Sequence, residues 1–224
     1  KLAALTAPLG LAAGLCSLES NAPRYVVQWQ FGEHELAIIG VVTYVTLVGQ
    51  TVLAAVGQSA VPRMAALHSA RERGALRQLV TRLALAAGAV GLVCAAGSWA
   101  FGRQLLQLAF GPTYAERHHL LTILTLAAAF QYTASMLSAA LRSTGQFSRA
   151  MTAHLASLTT VAIGSWIGGR LWGVTGVACG SLAASIAASL LFGALVYDSL
   201  LRERRPAAVD ASFDQRLETL RRSA

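Results

Sequence analysis

The sequence predicts an all-α membrane protein with six spanning helices. Three observations carry this. Of 224 residues, 55% are apolar and only 12% charged, where a soluble domain carries about 25% charged residues. The apolar residues gather in six long runs, and the basic residues between them fall mostly on one side. Only helices and closed barrels satisfy their own backbone in lipid. Barrel strands would alternate in segments of about ten residues, whereas these runs are roughly twice as long and rich in Ala and Leu.

The first run covers residues 2–18 and turns polar at Glu19. The second, 36–60, holds no charge, and the others cover 83–101, 120–141, 150–167 and 174–196. A span needs about 20 apolar residues. The chain therefore divides into a membrane lobe, 1–200, and a basic tail, 201–224. The tail offers Phe213, Leu217 and Leu220 beside Arg216, Arg221 and Arg222. Both a short amphipathic helix on the inner leaflet and a loosely ordered tail fit that pattern. Lys1 is no initiator Met, and no signal peptide precedes the first run. The chain is therefore expected to begin partway through a longer protein.

Basic residues set the orientation. Arg63, Arg71, Arg73, Arg77 and Arg82 follow the second run, Arg142 and Arg149 flank the turn after the fourth, and six arginines fill the tail. With Lys1, fourteen of the eighteen Lys and Arg lie on that side, against Arg24, Arg103, Arg117 and Arg170 on the other. Both ends are expected in the cytoplasm. Trp29, Trp99, Trp166 and Trp172 fall at the opposite boundary, as an aromatic belt would. The net charge of +8 then reads as positive-inside bias with some attraction to anionic lipid heads, not as nucleic-acid binding.

Several chemistries lack their motifs. No G-x-x-x-x-G-K-[ST] loop and no H-E-x-x-H occurs. Gly57-Gln58-Ser59-Ala60 lacks the closing Gly of the G-x-S-G of rhomboid-type membrane proteases. Cys16, Cys94 and Cys179 sit in apolar runs without metal-ligand spacing and read as small buried hydrophobes. No cofactor, metal or catalytic residue is expected. Four Gly pairs at a spacing of four (10/14, 164/168, 169/173, 176/180) suggest close helix contacts.

Polar residues inside spans are the informative feature, because they favour a bundle interior or a wet cavity. Thr6, Gly10, Ser17, Asn21 and Arg24 form one stripe; Thr43, Gln50 and Gly57 form another, with Thr51 and Gln58 beside it. The fourth span offers Thr125, Tyr132, Ser135 and Arg142; the fifth offers His154, Ser157 and Ser165. A polar cavity between helices would unite them. The plainer alternative is that each Ser or Thr bonds its own helix. Glu19 and Arg24 stand about 140° apart on a helix, and Pro23 can break the helix between them. They sit either at the outer interface in water, or with Arg24 as a cationic contact for an anionic head group. His154 reads as a satisfied interior histidine or a titrating group, and His118 and His119 as solvated residues at the outer start of the fourth span.

Ordered motifs accompany this pattern. Ser20-Asn21-Ala22-Pro23-Arg24-Tyr25-Val26-Val27 is similar to N-x-D-R-Y-[IV]-[LV], with Pro23 replacing the acidic residue. Gly40-Val41-Val42-Thr43-Tyr44 resembles a G-x-Y helix start, and Val61-Pro62-Arg63-Met64-Ala65 a P-x-[LM]-[AS] that opens a cytoplasmic helix. Phe110-Gly111-Pro112-Thr113-Tyr114-Ala115 resembles the outer loop F-G-x-x-Y-x-x-A, with the final Ala displaced. Leu141-Arg142-Ser143-Thr144-Gly145-Gln146 resembles L-x-A-x-G-[RQK], and Gly173-Val174-Thr175-Gly176-Val177-Ala178 resembles G-x-x-G-[AV]-A. By these the chain resembles the C-terminal half of a Wzx-type oligosaccharide flippase of the multidrug/oligosaccharidyl-lipid/polysaccharide (MOP/MATE-like) superfamily.

The resemblance implies one six-helix lobe of a two-lobe alternating-access carrier in the bacterial inner membrane. Its substrate would be polyprenyl-diphosphate-linked oligosaccharide for O-antigen, capsule or exopolysaccharide. Expected partners are that lipid-linked oligosaccharide, membrane lipids and the missing N-terminal half. Glycosyltransferases or a polymerase are further candidates. Arg24 would meet diphosphate or acidic sugar, with Asn21 and Glu19 beside it. Thr43 and Gln50 would meet sugar hydroxyls, and His154 or Arg142 would serve a gate or ion coupling. A drug/cation antiporter of the same superfamily and a non-transporting membrane scaffold are the alternatives. The antiporter is disfavoured because no carboxylate lies mid-span.

Overall fold

The computed structural model describes the backbone of residues 2–202 and side chains within 14–199, apart from Val45 and Thr113. Lys1, the side chains of Thr6 and Gly10, and the tail beyond residue 202 lie outside the described residues. Every described element is helical: α1 (Leu2–Phe31), α2 (Glu33–Ser69), α3 (Arg73–Phe110), the single turn α4 (Pro112–Ala115), α5 (His118–Ser143) and α6 (Phe147–Arg202). Three elements, α3, α5 and α6, are long and apolar enough to cross a membrane, or four if the bent α2 counts as one span.

α6 is two limbs, not one rod. Trp172 and Gly173 leave helical geometry, with Gly173 at φ 63°, ψ −149°, a region open essentially to glycine alone. The chain folds back there, giving α6a (147–171) and α6b (174–202). The limbs pack backbone to backbone. A Cβ on Gly168 would overlap the Gly176 carbonyl, and one on Gly180 the Gly164 carbonyl. The glycines of the predicted pairs 164/168 and 176/180 meet each other across the hairpin, 164 against 180 and 168 against 176, while Gly173 forms its turn and Gly169 faces Gln30.

α5 is the hub, packed on α2, α3 and α6. Glycine again permits the approach: a Cβ on Gly91 would run into the Ala129 backbone, and one on Gly49 or Gly88 into Tyr132 or Thr133. Tyr132 donates to the Thr46 carbonyl at 2.6 Å, tying α5 to α2, and Ser189 donates to the Phe130 carbonyl at 2.6 Å, tying α6b to α5. At the basic end Met64, Leu76, Val80, Leu141, Phe192 and Val196 form one cluster. At the other end Val27, Ile39, Leu120 and Val177 form a second.

The helices outrun the apolar runs. α1 continues through Glu19 and Pro23 to Phe31, and α2 continues through Pro62 to Ser69, so neither proline breaks or opens a helix. Around Glu19 the polar side chains bond their own helix: Ser20 donates to the Cys16 carbonyl at 2.9 Å and Asn21 to the Ser17 carbonyl at 2.8 Å. The cysteines also differ from expectation: Cys94 and Cys179 are exposed and Cys16 half-buried. Small apolar side chains gain nothing by leaving lipid for protein, so apolar character does not imply burial in a membrane helix.

Candidate functional site

Pro23 has no amide hydrogen, so it leaves the Glu19 carbonyl without its i+4 donor on α1. The Glu19 side chain is 5% exposed, deep in the bundle and not at the interface in water. His154 Nδ1 lies 3.1 Å from Glu19 Oε2, Gln131 Nε2 donates to Oε1 at 3.3 Å, and Ser157 donates a short bond to the same oxygen. Three elements, α1, α5 and α6a, thus converge on one carboxylate.

His154, also 5% exposed, continues the network. Its Nε2 lies 2.9 Å from Ser138 Oγ and 3.5 Å from Cys16 Sγ, and its ring centroid 4.9 Å from that of Phe192. With the proton on Nδ1, the ring donates to Glu19 and accepts from Ser138. Ser138, His154 and Glu19 are thus connected in the order of a hydrolase triad. Ser138 is 2% exposed within the helix packing, so no substrate carbonyl can reach its Oγ.

Glu19 also lines a cavity with Arg24, Thr43, Gln50, Gln131 and Tyr132. Its volume is about 110 Å³, below the ~300 Å³ of a pocket that encloses a small ligand. The cavity opens to the surface and is not a closed receptacle. Arg24 Nη1 donates to Asn21 Oδ1 at 3.3 Å, its guanidinium carbon lies 5.6 Å over the Tyr44 ring, and its buried Nε has no partner. Glu19 and Arg24 share the cavity but make no ion pair, since Glu19 is held by His154, Ser157 and Gln131. Among the described residues Arg24 has no carboxylate partner, and an arginine with an unfilled donor suits an incoming anion.

The structure therefore brings five of the seven predicted residues onto or against this cavity: Glu19, Arg24, Thr43, Gln50 and, behind Arg24, Asn21. His154 stands one hydrogen bond behind it. Arg142 does not join them; it lies in the last turn of α5, at the basic end. Thr43 also bonds its own helix, donating to the Ile39 carbonyl at 2.6 Å. Thr125 and Ser135 do the same, at 2.7 and 2.8 Å, so there the plainer reading holds. Away from the cavity, Arg117 pairs with Glu35 at 3.3 Å; His118 is half-buried and His119 exposed.

Sequence reasoning missed Ser138, Gln131 and the neighbourhood of Cys16. One signal was available: Ser138 and His154 stand equally far from Gln146 in the α5–α6 turn, as antiparallel neighbours must.

The MatE family model matches residues 8–167, and the chain belongs to that family. It is 27% identical over 143 residues to the capsular polysaccharide biosynthesis protein CapF of Staphylococcus aureus, covering 64% of this chain and 36% of CapF. Its fold matches an inward-facing multidrug resistance MATE family transporter of the MOP superfamily at TM-score 0.80 and 14% identity, over 92% of this chain and 49% of that one. It matches the bent form of the Vibrio cholerae MATE transporter VcmN at TM-score 0.80 and 20% identity, over 90% and 46%. The chain thus spans just over a third of CapF and about half of each solved transporter.

Proposed function

We propose that the full-length protein flips polyprenyl-diphosphate-linked oligosaccharide across the bacterial inner membrane for surface polysaccharide assembly. This chain would be its second six-helix lobe, with both ends cytoplasmic. The observation that carries the reading is Arg24: a half-buried guanidinium on a shallow cavity that also holds Gln50, Thr43 and Gln131, with an unfilled Nε and, among the described residues, no carboxylate partner. The similarity to CapF supports the substrate class. The small volume of the cavity agrees with a substrate held between two lobes, its lipid tail left in the bilayer.

In this reading Arg24, oriented by Asn21 and Tyr44, meets diphosphate or acidic sugar. Thr43 and Gln50 meet sugar hydroxyls. The Glu19–His154 pair fixes α1 against α6a, and Arg142 gates the basic end. The missing first lobe completes the cavity, and glycosyltransferases or a polymerase pass the substrate on. The test is complementation of a deletion strain by the full-length gene. The Arg24→Ala protein is expected to reach the membrane normally, leave the surface without polysaccharide and accumulate lipid-linked oligosaccharide. Full restoration of the polysaccharide by Arg24→Ala would overturn the reading.

One observation favours a second reading, a drug/cation antiporter. Glu19 is a buried carboxylate in the bundle interior, which the sequence alone does not place there. On that reading Glu19→Gln abolishes drug resistance conferred by the full-length protein and leaves surface polysaccharide untouched.

A further inference from the structure

A second opening lies on the far side of α5. On α5, Leu124, Ala127, Ala128, Gln131 and Tyr132 line the polar cavity, whereas Thr133 and Leu137 line this groove. At about 100° per residue the two sets point roughly opposite ways. The groove is thus turned away from the wall that a second lobe would complete; that clause rests on the two-lobe reading above. Its sides are α3 and α6b, which both pack on α5 but scarcely meet each other.

The groove holds about 510 Å³ and is mostly apolar. Small residues open it: Ala84, Gly88 and Ala89 on α3 and Gly193 on α6b. Exposed Leu85, Leu92 and Leu190 surround it. Its one cationic side chain, Arg77, stands at one end with Tyr197, and its remaining polar groups are the hydroxyls of Thr81 and Thr133. Arg73 lies one turn before Arg77 on the same face of α3. Among the described residues Arg77 has no ion pair, and the nearby Asp198 is engaged by Arg149 at 3.5 Å.

Length identifies the occupant. From Arg77 to Leu92 the α3 wall runs about 22 Å at ~1.5 Å per residue. One leaflet with its head groups measures about 21 Å, half of ~40–45 Å. The groove therefore reaches from head-group depth to the bilayer centre, with its cations at the head-group end. We propose that it is a binding site for an anionic phospholipid, an acyl chain lying along α3 and the phosphate on Arg77 and Tyr197. Such a lipid would fill the seam that α3 and α6b leave open.

The test uses the full-length protein, purified in detergent, and native mass spectrometry after adding dioleoyl phosphatidylglycerol or dioleoyl phosphatidylcholine. The wild type is expected to retain phosphatidylglycerol about fivefold better, as one basic residue near the surface provides. Arg77→Gln should erase that preference. Ala89→Phe, an exposed groove position, should abolish retention of both lipids. Arg63→Gln, a basic residue outside the groove, should match the wild type. Equal retention by all four proteins overturns the proposal in favour of a diffuse surface charge. A change of oligomeric state with Ala89→Phe overturns it in favour of a second copy. The proposal survives a failure of the flippase reading, because retention is measured without transport.

Discussion

Glu19 and Arg24 lie five residues apart on one helix and meet opposite fates. The carboxylate is buried and three side chains hold it; the guanidinium is left with a single weak acceptor and an unfilled donor. Removing one member of a buried charged network strands the others and costs about 3 kcal/mol or more. Glu19→Ala should therefore lower the melting temperature of the purified full-length protein well below that of Glu19→Gln, which keeps an acceptor for Ser157. Equal melting of Glu19→Ala and wild type would show that the network contributes nothing. Arg24→Ala should leave the melting temperature within the scatter of a surface change, about 0.5 kcal/mol, because no charge partner is lost with it. The types of these residues, and Arg24's place on the α1 stripe, were legible in the sequence. Their different burial was not, because it depends on which helix arrives opposite: α6a brings His154 and Ser157 to Glu19, and nothing basic-seeking comes to Arg24.

Glycines decide how closely the elements pack. Gly168→Leu drives a side chain into the Gly176 backbone and should cost about 2–3 kcal/mol or prevent accumulation in the membrane. Gly14→Leu, where nothing lies within 4 Å, should accumulate normally; failure of both alike would disprove the packing account. Gly173→Ala should cost about 1–3 kcal/mol at the hairpin turn. Apolar run length located the helices because lipid demands it, but it missed their ends. Past the apolar run α1 stays helical, and polar side chains such as Ser20 and Asn21 are accommodated there by bonding carbonyls of their own helix. The close pairs 164/180 and 168/176 were half legible. The glycine spacing was visible, but the helical limb it faces became clear only with the turn at Gly173, about which Ser165 and Ser181, 3.3 Å apart, are also symmetric.

At the scale of the whole molecule, the proposal turns on whether something anionic meets Arg24, whose buried Nε has no partner. The chain belongs to the MatE family and shares the fold of solved MATE transporters. The most direct measurement is reconstitution of the full-length protein in vesicles with a fluorescent polyprenyl-diphosphate disaccharide, following its movement between leaflets. The account predicts movement by the wild type, at least tenfold slower movement by Arg24→Ala and an intermediate rate for Arg24→Lys, since lysine keeps the charge but not the fork. Movement by Arg24→Ala at the wild-type rate would contradict it, as would a wild type that moves cationic drugs and leaves the lipid-linked sugar in place.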